Sequence, residues 1–318
     1  MISQISVFPI AVMLGMLGCF FSGPTAAQEA KPSALAVYLP DYRVKAGMEP
    51  LLYGTTDLIL FSATPREDGS VDFSRITPEL LAFGEKARAG GAVRVSVCVG
   101  GWGRGKVFAS AVSSEASRSR FVQDLAAFCA GHQLGGVDID WEFPKGDQEH
   151  AHFAAFLAKL GSRLHADGRL LTVALGYTRP LPAECWAHVD RVHLMSYQPW
   201  SEQPYEPWLR ESVMRFLEAG LSPEKLLLGV GFYAKEKAGE RRAISWWKLA
   251  GPDAEPLPES EHGYWPVGVQ ACDLRIDLVK EFGLGGVMVW DYGHDSTAPE
   301  TSLLRALSEG LSGPEKAR

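Results

Sequence analysis

The sequence has few features that would attract it to nucleic acid, because its 31 Lys and Arg are outnumbered by 38 Asp and Glu. The formal net charge of −7 argues against the basic surface of a nucleic-acid-binding protein and gives no attraction to anionic membranes. Cysteine is also scarce, with five residues in 318 and no C-x-x-C pair. This spacing argues against a zinc site and favours buried free thiols over disulfides.

Charged residues are absent from the first 28 positions, where an apolar run over residues 7–21 is followed by the small residues SGPTAA. This pattern predicts an export signal over residues 1–27, although the usual basic start is missing. We therefore expect a secreted or periplasmic protein. Two alternatives stay open. The run nearly reaches membrane-spanning length, which would suit an uncleaved anchor, and MLGC ending at Cys19 resembles a lipoprotein cleavage box, which would anchor the protein through a lipid.

Eight short runs rich in Val, Leu and Ile follow, and they cover residues 34–40, 56–63, 93–101, 135–142, 170–177, 189–197, 225–233 and 285–292. Amphipathic stretches lie between them, such as the apolar positions Phe153, Phe156, Leu157, Leu160 and Leu164. Eight such alternations in about 290 residues predict an α/β fold and favour a closed (β/α)8 TIM barrel over a doubly wound open sheet. We expect residues 28–318 to form one domain, with a short Pro- and Trp-rich excursion over 234–266 after strand seven.

The fourth run places three acids at alternate positions in the stretch GGVDIDWEFP, from Gly135 to Pro144. Because side chains alternate along a strand, Asp138, Asp140 and Glu142 share one face, about 6.6 Å apart at each step. In a barrel they point inward, with Glu142 nearest the C-terminal mouth, where barrel enzymes carry out chemistry. Crowded carboxyls cannot all ionise cheaply, so the outermost acid can keep a proton, as a general acid requires. A solvated edge strand or a metal site would also fit an isolated D-x-D-x-E.

This stretch resembles the D-G-x-D-x-D-W-E signature of glycoside hydrolase family 18, the chitinases and their relatives, at every position but Gly135. Other segments resemble the family in the same order, among them VYLPDYR (37–43), VGGWGRGKVFASAV (99–112), LMSYQPW (194–200) and GLGGVMVWDYGHD (283–295). The resemblance implies hydrolysis of β-1,4-linked N-acetylglucosamine polymers or oligomers with retention of configuration. It implies no cofactor, no required metal, no nucleic acid and no obligate protein partner.

The resemblance also implies the roles of four catalytic residues. Glu142 would donate the proton, while the substrate's own 2-acetamido oxygen attacks the anomeric carbon. Asp140 would orient the acetamido group and stabilise its positive charge, and Asp138 would hold a proton shared with Asp140. Tyr197 would hydrogen-bond the acetamido oxygen.

Substrate contacts are implied for a further set of residues, namely Trp290, Tyr38, Trp102, Gln198 and Met195. Trp290 would form the apolar floor under the distorted sugar, and Tyr38 would lie beneath the acids and bond Asp138. Trp102 would stack on a neighbouring sugar, whereas Gln198 and Met195 belong to the segment that resembles the M-x-Y-[DN] motif.

Three positions depart from the family pattern. Gly135 replaces the first Asp, at the strand entrance, where we expect loss of a structural hydrogen bond rather than of activity. Cys98 replaces the Ser that helps to hold Asp138, and a thiol is a weaker donor. Gln198 replaces Asp or Asn, which leaves the preferred substrate open.

The excursion after strand seven is short for the family, so we expect an open groove and endo-type cleavage or short-oligomer substrates. An endo-β-N-acetylglucosaminidase acting on N-glycans or on peptidoglycan-type chains is one alternative function. A non-catalytic glycan-binding lectin on the same barrel is a second, and a metal-dependent barrel enzyme is a third.

Overall fold

The structure, a computed structural model, describes residues 33–91, 93–251 and 253–313. Eight parallel strands pair in sequence, and the eighth pairs with the first, which closes a barrel. They are β1 (Ala34–Pro40), β2 (Asp57–Pro65), β3 (Arg94–Gly100), β4 (Gly136–Asp140), β5 (Leu170–Gly176), β6 (Arg191–Met195), β7 (Leu226–Gly231) and β8 (Gly286–Trp290). All eight predicted strands and the closed barrel are confirmed.

Six longer helices surround the barrel among the described residues: α1 (Pro78–Ala89), α2 (Glu115–Gly131), α3 (Gly146–Ala166), α4 (Tyr205–Glu218), α5 (Val269–Phe282) and α6 (Leu303–Ser312). The connections after β1 and β5 depart from the regular alternation, because they contain only the 3-10 turns Asp41–Arg43 and Ala183–Ala187. The second of these connections is short and contains Pro180 and Pro182, and proline disrupts helical hydrogen bonding.

The alternation of side chains along β4 explains how one strand serves both the core and the barrel interior. Val137, Ile139 and Trp141 pack in the hydrophobic layer between strands and helices, where Trp141 stacks on Phe108 with ring centroids 5.4 Å apart. The intervening acids point the other way. Asp138 contacts side chains from β1, β5 and β6 across the barrel interior. The predicted inward orientation of this acid is therefore confirmed.

Several short elements lie at the C-terminal end of the barrel. After β7 the chain forms an antiparallel hairpin, Tyr233–Lys235 with Ala243–Ser245, and then the one-turn helix Trp246–Leu249. The predicted excursion is thus confirmed. Elsewhere, Val71–Asp72 pairs with the end of β2, and the one-turn helix Phe108–Ala111 precedes α2.

The predicted export signal over residues 1–27 lies outside the described residues, as does Cys19, so both stay predictions. Within the described ranges, no helix combines the length and apolarity needed to cross a bilayer. The four remaining cysteines, Cys98, Cys129, Cys185 and Cys272, are buried free thiols, as predicted.

Candidate active site

A cavity of about 850 Å³ opens at the carboxyl ends of the strands. It is lined by eight of the nine residues predicted from the sequence: Tyr38, Trp102, Asp140, Glu142, Met195, Tyr197, Gln198 and Trp290. The ninth, Asp138, is fully buried and accepts a hydrogen bond from the Tyr38 hydroxyl. The structure therefore brings all nine residues together, while the roles assigned to them stay proposals.

Several donors surround Asp138. Its Oδ2 accepts from Tyr38 Oη at 2.7 Å, its Oδ1 accepts from Thr172 Oγ1 at 2.6 Å, and His193 Nδ1 lies 3.3 Å from Oδ1. Burial alone would raise the pKa of Asp138, but the contacts with His193, Thr172 and Tyr38 outweigh it and hold that pKa below its ordinary value. Asp138 is therefore the acid most suited to stay charged.

The next two acids behave in the opposite way. Burial, followed by repulsion from Glu142 and Asp138, raises the pKa of Asp140 well above its usual range, and Asp140 Oδ1 is buried with no hydrogen-bond partner among the described residues. Burial raises the pKa of Glu142 to about 7. These directions favour a charged Asp138 beside a neutral Asp140, which refines the expectation of a proton shared between the two.

The backbone fixes the position of Asp140. Gly101 N donates to Asp140 O at 2.8 Å. The adjacent Gly100 has a φ of +108°, and a Cβ at this position would lie 2.2 Å from the same Asp140 oxygen. Only glycine allows β3 to approach the end of β4 this closely, which gives a structural reason for the Gly-Gly pair before Trp102.

Aromatic side chains form the base of the cavity. The Trp290 ring lies 4.8 Å from the Phe61 ring and 5.7 Å from the Tyr38 ring, measured between centroids. Trp102, in contrast, stands at the rim with 75% of its surface exposed. The structure thus provides a packed aromatic floor and an exposed ring, two arrangements that suit contact with the apolar faces of a sugar.

Tyr197 follows the end of β6 and lines the cavity, and its hydroxyl lies 3.6 Å from Met288 Sδ. Its carbonyl oxygen accepts a 2.7 Å hydrogen bond from Tyr205 Oη. Fully buried Arg275 of α5 donates to Ser196 O at 2.7 Å and to Gly229 O at 3.1 Å. The guanidinium therefore holds the backbone that carries Tyr197.

Gln198 accepts a hydrogen bond from Tyr233 Oη through Oε1, at 3.3 Å. This contact ties the cavity wall after β6 to the hairpin of the excursion after β7. Gln198 stands where the family has Asp or Asn. Its side-chain amide is held by Tyr233, a residue that the sequence analysis does not select.

The other two departures have local explanations. A Cβ at Gly135 would lie 2.5 Å from Arg94 Cγ, and Arg94 pairs with Asp57 at the entrance to the barrel. Cys98 is fully buried. Burial, followed by the neighbouring charge of Asp138, raises the pKa of its thiol. The thiol therefore stays protonated next to Asp138.

The sequence analysis misses four polar residues around the site: Thr172, His193, Arg275 and Arg104. His193 shares the inward parity of Met195 and Tyr197, which could have identified it. Arg275 lies on the buried face of α5 with Cys272 and Ile276. An unpaired charge is costly at such a position, so an Arg there could have indicated buried hydrogen-bond partners. Arg104 donates to Ser62 O and has no comparable signal in the sequence.

Comparison with known families provides the deciding observation. The model of the family "Glycosyl hydrolases family 18" matches residues 34–260, which include the run of acids, the Trp102 rim and Tyr197. The chain belongs to this family. Its fold and its relatives are those of chitinase-type glycosidases.

One curated relative of this family 18 protein is "Probable chitinase 2" of Drosophila melanogaster, 27% identical over 168 residues, which cover 45% of this chain and 35% of the relative. The chain thus matches about a third of that relative's length.

Solved structures agree with the fold. A chitinase from Bacteroides thetaiotaomicron superposes with a TM-score of 0.74 at 18% identity, covering 89% of this chain and 97% of the other. A chitinase-like agglutinin from Robinia pseudoacacia superposes with a TM-score of 0.73 at 19% identity, covering 87% and 99%.

Proposed function

We propose that this family 18 protein is a retaining glycosidase that cleaves β-1,4-linked N-acetylglucosamine chains, with Glu142 as the proton donor. The observation that carries the proposal is the position of Glu142 at the barrel mouth, in a cavity with an aromatic floor, with its pKa raised to about 7. A group with this pKa is half protonated near neutral pH and can donate a proton to a glycosidic oxygen.

The attacking group is the second part of the proposal. Asp140 is the other acid that lines the cavity among the described residues. Its pKa is raised well above the usual range, first by burial and then by repulsion from Glu142 and Asp138. A neutral carboxyl is a poor nucleophile. This supports attack by the 2-acetamido oxygen of the substrate, which yields an oxazolinium ion and retains configuration after water adds.

The acetamido oxygen forms a bond to the anomeric carbon while the glycosidic C–O bond breaks, and the leaving oxygen takes the proton of Glu142. Asp140 and Tyr197 contact the acetamido group, and the negative charge of Asp138 helps to keep Asp140 protonated. Water then attacks the anomeric carbon, opens the oxazolinium ring, and returns a proton to Glu142.

The experiment that tests the proposal is incubation of the purified chain with chitin oligomers, with products identified by mass and by anomeric form. Release of shorter oligomers with initial β-anomer supports the proposal. Products with initial α-anomer would show inversion and overturn the mechanism, and loss of activity with chelator would favour the metal-dependent alternative. Oligomer binding without turnover over a wide pH range would favour the lectin alternative.

A second candidate substrate class is favoured by the charges around the cavity. Its lining includes the cations Arg104, Lys145 and Arg179, although the whole chain carries a net charge of −7. Arg179 lies over the Phe143 ring at 4.9 Å, and neither it nor Lys145 forms an ion pair with another described residue. A cleft with positive lining favours anionic ligands, which suits carboxylate-bearing peptidoglycan-type chains.

Salt dependence separates the two substrate classes. For a carboxylate-bearing glycan, kcat/KM should fall as ionic strength rises, and Arg179→Gln should lower it about three- to tenfold. A neutral chitin oligomer should respond to neither change. Equal responses of the two substrates would remove the argument for an anionic one.

A further inference from the structure

Three segments at the mouth of the barrel meet at a buried acid, Asp291. This residue directly follows Trp290 of β8, and its side chain is fully buried. Arg43 reaches it from the segment after β1, with Nε 3.5 Å from Oδ1, and His294 Nε2 lies 3.5 Å from Oδ2. Ser245 of the hairpin after β7 contacts the same histidine through a 2.7 Å hydrogen bond with Nδ1. We refer to these contacts as the Asp291 cluster.

The place of Arg43 in the cluster is built into the fold. Its side chain lies against Gly293, where a Cβ would come within 2.6 Å of Arg43 Cδ, so a larger residue would displace the arginine. The preceding residue, Tyr42, lines the cavity, as does Trp290. The contact between Arg43 and Asp291 therefore joins one wall of the cavity to its floor.

The hydrogen bonds of His294 determine where its proton lies. Arg43 Nη2 lies 2.8 Å from His294 Nε2, and since a guanidinium can only donate, Nε2 must accept. The proton of the neutral ring is therefore on Nδ1, where it faces Ser245 Oγ. Burial, followed by the charge of Arg43, lowers the pKa of His294 to about 4, so the ring is neutral above that pH.

This tautomer leaves two acceptors facing each other. His294 Nε2 and the charged Asp291 Oδ2 both present lone pairs across 3.5 Å, and neither Asp291 oxygen has a partner at normal hydrogen-bond geometry among the described residues. A proton on Oδ2 converts this contact into an O–H···N hydrogen bond. Burial raises the pKa of Asp291 to about 6, against the lowering by Arg43 and by backbone N–H groups. The cluster is therefore suited to take up one proton in weakly acidic solution.

Uptake of this proton weakens the hold on Arg43 in two ways. It removes the negative charge that pairs with the guanidinium, and His294 Nε2 has a single lone pair, so a hydrogen bond from Asp291 displaces the one from Arg43. The hydroxyls of Tyr42 and Tyr233 are the other titratable groups near the acid in the described part of the chain. Burial first, and then in part the charge of Asp291, raises both pKa values, so neither tyrosine replaces the lost charge.

We propose that Asp291 and Arg43 are positioning residues: their ion pair holds the segment that carries Tyr42 against the end of β8, and uptake of one proton by Asp291 releases that segment. The inference rests on the proposed glycosidase function, because its kinetic consequence is weaker substrate binding. The acids that carry out the chemistry lie on β4 and directly after it, so the consequence should appear in KM rather than in kcat.

The first test is the pH dependence of KM for a chitin oligomer. In the unmodified protein, KM should rise about fivefold as pH falls from 7 to 5, while kcat changes less than about twofold. In Asp291→Asn, KM should stay at the high value over this whole range, because the amide carries no charge and its NH2 can donate to His294. A KM that varies with pH in this variant as it does in the unmodified protein would overturn the inference.

Arg43→Met removes the other half of the ion pair. It should give the same high KM, independent of pH, and combining it with Asp291→Asn should raise KM no further, because the two residues act through one contact. Additive effects of the two substitutions would show that they act separately and would contradict the proposal.

The second test does not depend on activity. Because the pKa of Asp291 is raised from 3.8 to about 6 in the folded protein, its proton stabilises the fold at low pH, and this stability is lost as pH rises through 6. The charged acid is thus a cost to the fold. Asp291→Asn should raise the midpoint of thermal unfolding by about 3–6 °C at pH 7.5, and by less toward pH 4. A lower midpoint at pH 7.5 would indicate an ordinary structural role and overturn the inference.

Asp295→Asn is the matched control. Asp295 follows the same strand and accepts hydrogen bonds from Ser302 Oγ and from the backbone N–H groups of Leu303 and Leu304 at the start of α6. The variant should lower the unfolding midpoint and leave the pH dependence of KM unchanged. The same KM profile as in Asp291→Asn would show that any damage after β8 has this effect, which would contradict the proposal.

The two tests also separate this inference from the proposed function. If the unmodified protein hydrolyses no chitin oligomer, the proposed function has failed. The thermal measurement then decides by itself whether the Asp291 cluster binds the proton.

Discussion

The hydroxyl of Tyr38 donates a 2.7 Å hydrogen bond to Asp138 and lies 2.8 Å from His193 Nδ1. A phenol has one proton, so a Tyr38 that donates to Asp138 must accept from His193. Nδ1 of His193 is therefore the protonated nitrogen, and it also lies 3.3 Å from the same carboxylate. The pair Tyr38 and His193 stabilises the charged form of the acid at the base of the site.

Removal of this donor should change the pH profile. In His193→Leu the pKa of Asp138 should rise, so that it takes a proton from Asp140. A charged Asp140 then raises the pKa of Glu142, and the alkaline limb of kcat/KM should move up by about one pH unit. His193→Asn is the matched control, because its amide can donate from the position of Nδ1. Equal profiles for the Leu and Asn variants would contradict this role.

The unmodified protein should lose activity above neutral pH. Because the pKa of Glu142 is raised to about 7, its proton is present below that pH and is lost above it. We expect kcat/KM for a chitin oligomer to fall about tenfold for each pH unit well above 7. A rate profile that stays flat up to pH 9 would show that another group donates the proton.

Arg275 should support Tyr197 through the backbone. Arg275→Met leaves the carbonyl oxygens of Ser196 and Gly229 without this donor, and we expect a loss of about 2–4 kcal/mol in the free energy of unfolding. Under conditions where the variant is folded, kcat should fall more than KM changes. Urea denaturation and steady-state kinetics test both parts. Tyr205→Phe is a milder control, since it removes only one hydrogen bond to Tyr197 O.

Trp102 and Trp290 should differ in their effects. Trp102 is largely exposed, so Trp102→Ala should leave thermal stability nearly unchanged and raise KM about fivefold at similar kcat. Trp290 packs against Phe61 and Tyr38, so Trp290→Ala should lower both stability and kcat. The same kinetic effect in both variants would contradict the distinction between rim and floor.

Much of this arrangement could be predicted from the sequence, because local patterns determine it. Apolar runs located the eight strands, and alternation along β4 placed Asp138 and Asp140 inside the barrel. The resemblance of other segments to family 18 located six further cavity residues: Tyr38, Trp102, Met195, Tyr197, Gln198 and Trp290. None of these steps requires knowledge of how distant side chains meet.

The contacts between distant strands could not be predicted. His193 and Thr172 reach Asp138 from β6 and β5, and the barrel geometry alone determines that they meet. The connections after β1 and β5 contain only 3-10 turns, which the regular β/α pattern did not predict.

The most direct test of the central claim is the Glu142→Gln variant, assayed with a chitin oligomer. Gln has nearly the same size as Glu but has no acidic proton to donate, so hydrolysis should fall by about 10²–10⁴-fold while oligomer affinity, measured by calorimetry, stays within a few fold. Hydrolysis at the rate of the unmodified protein would contradict the assignment of Glu142 as the acid.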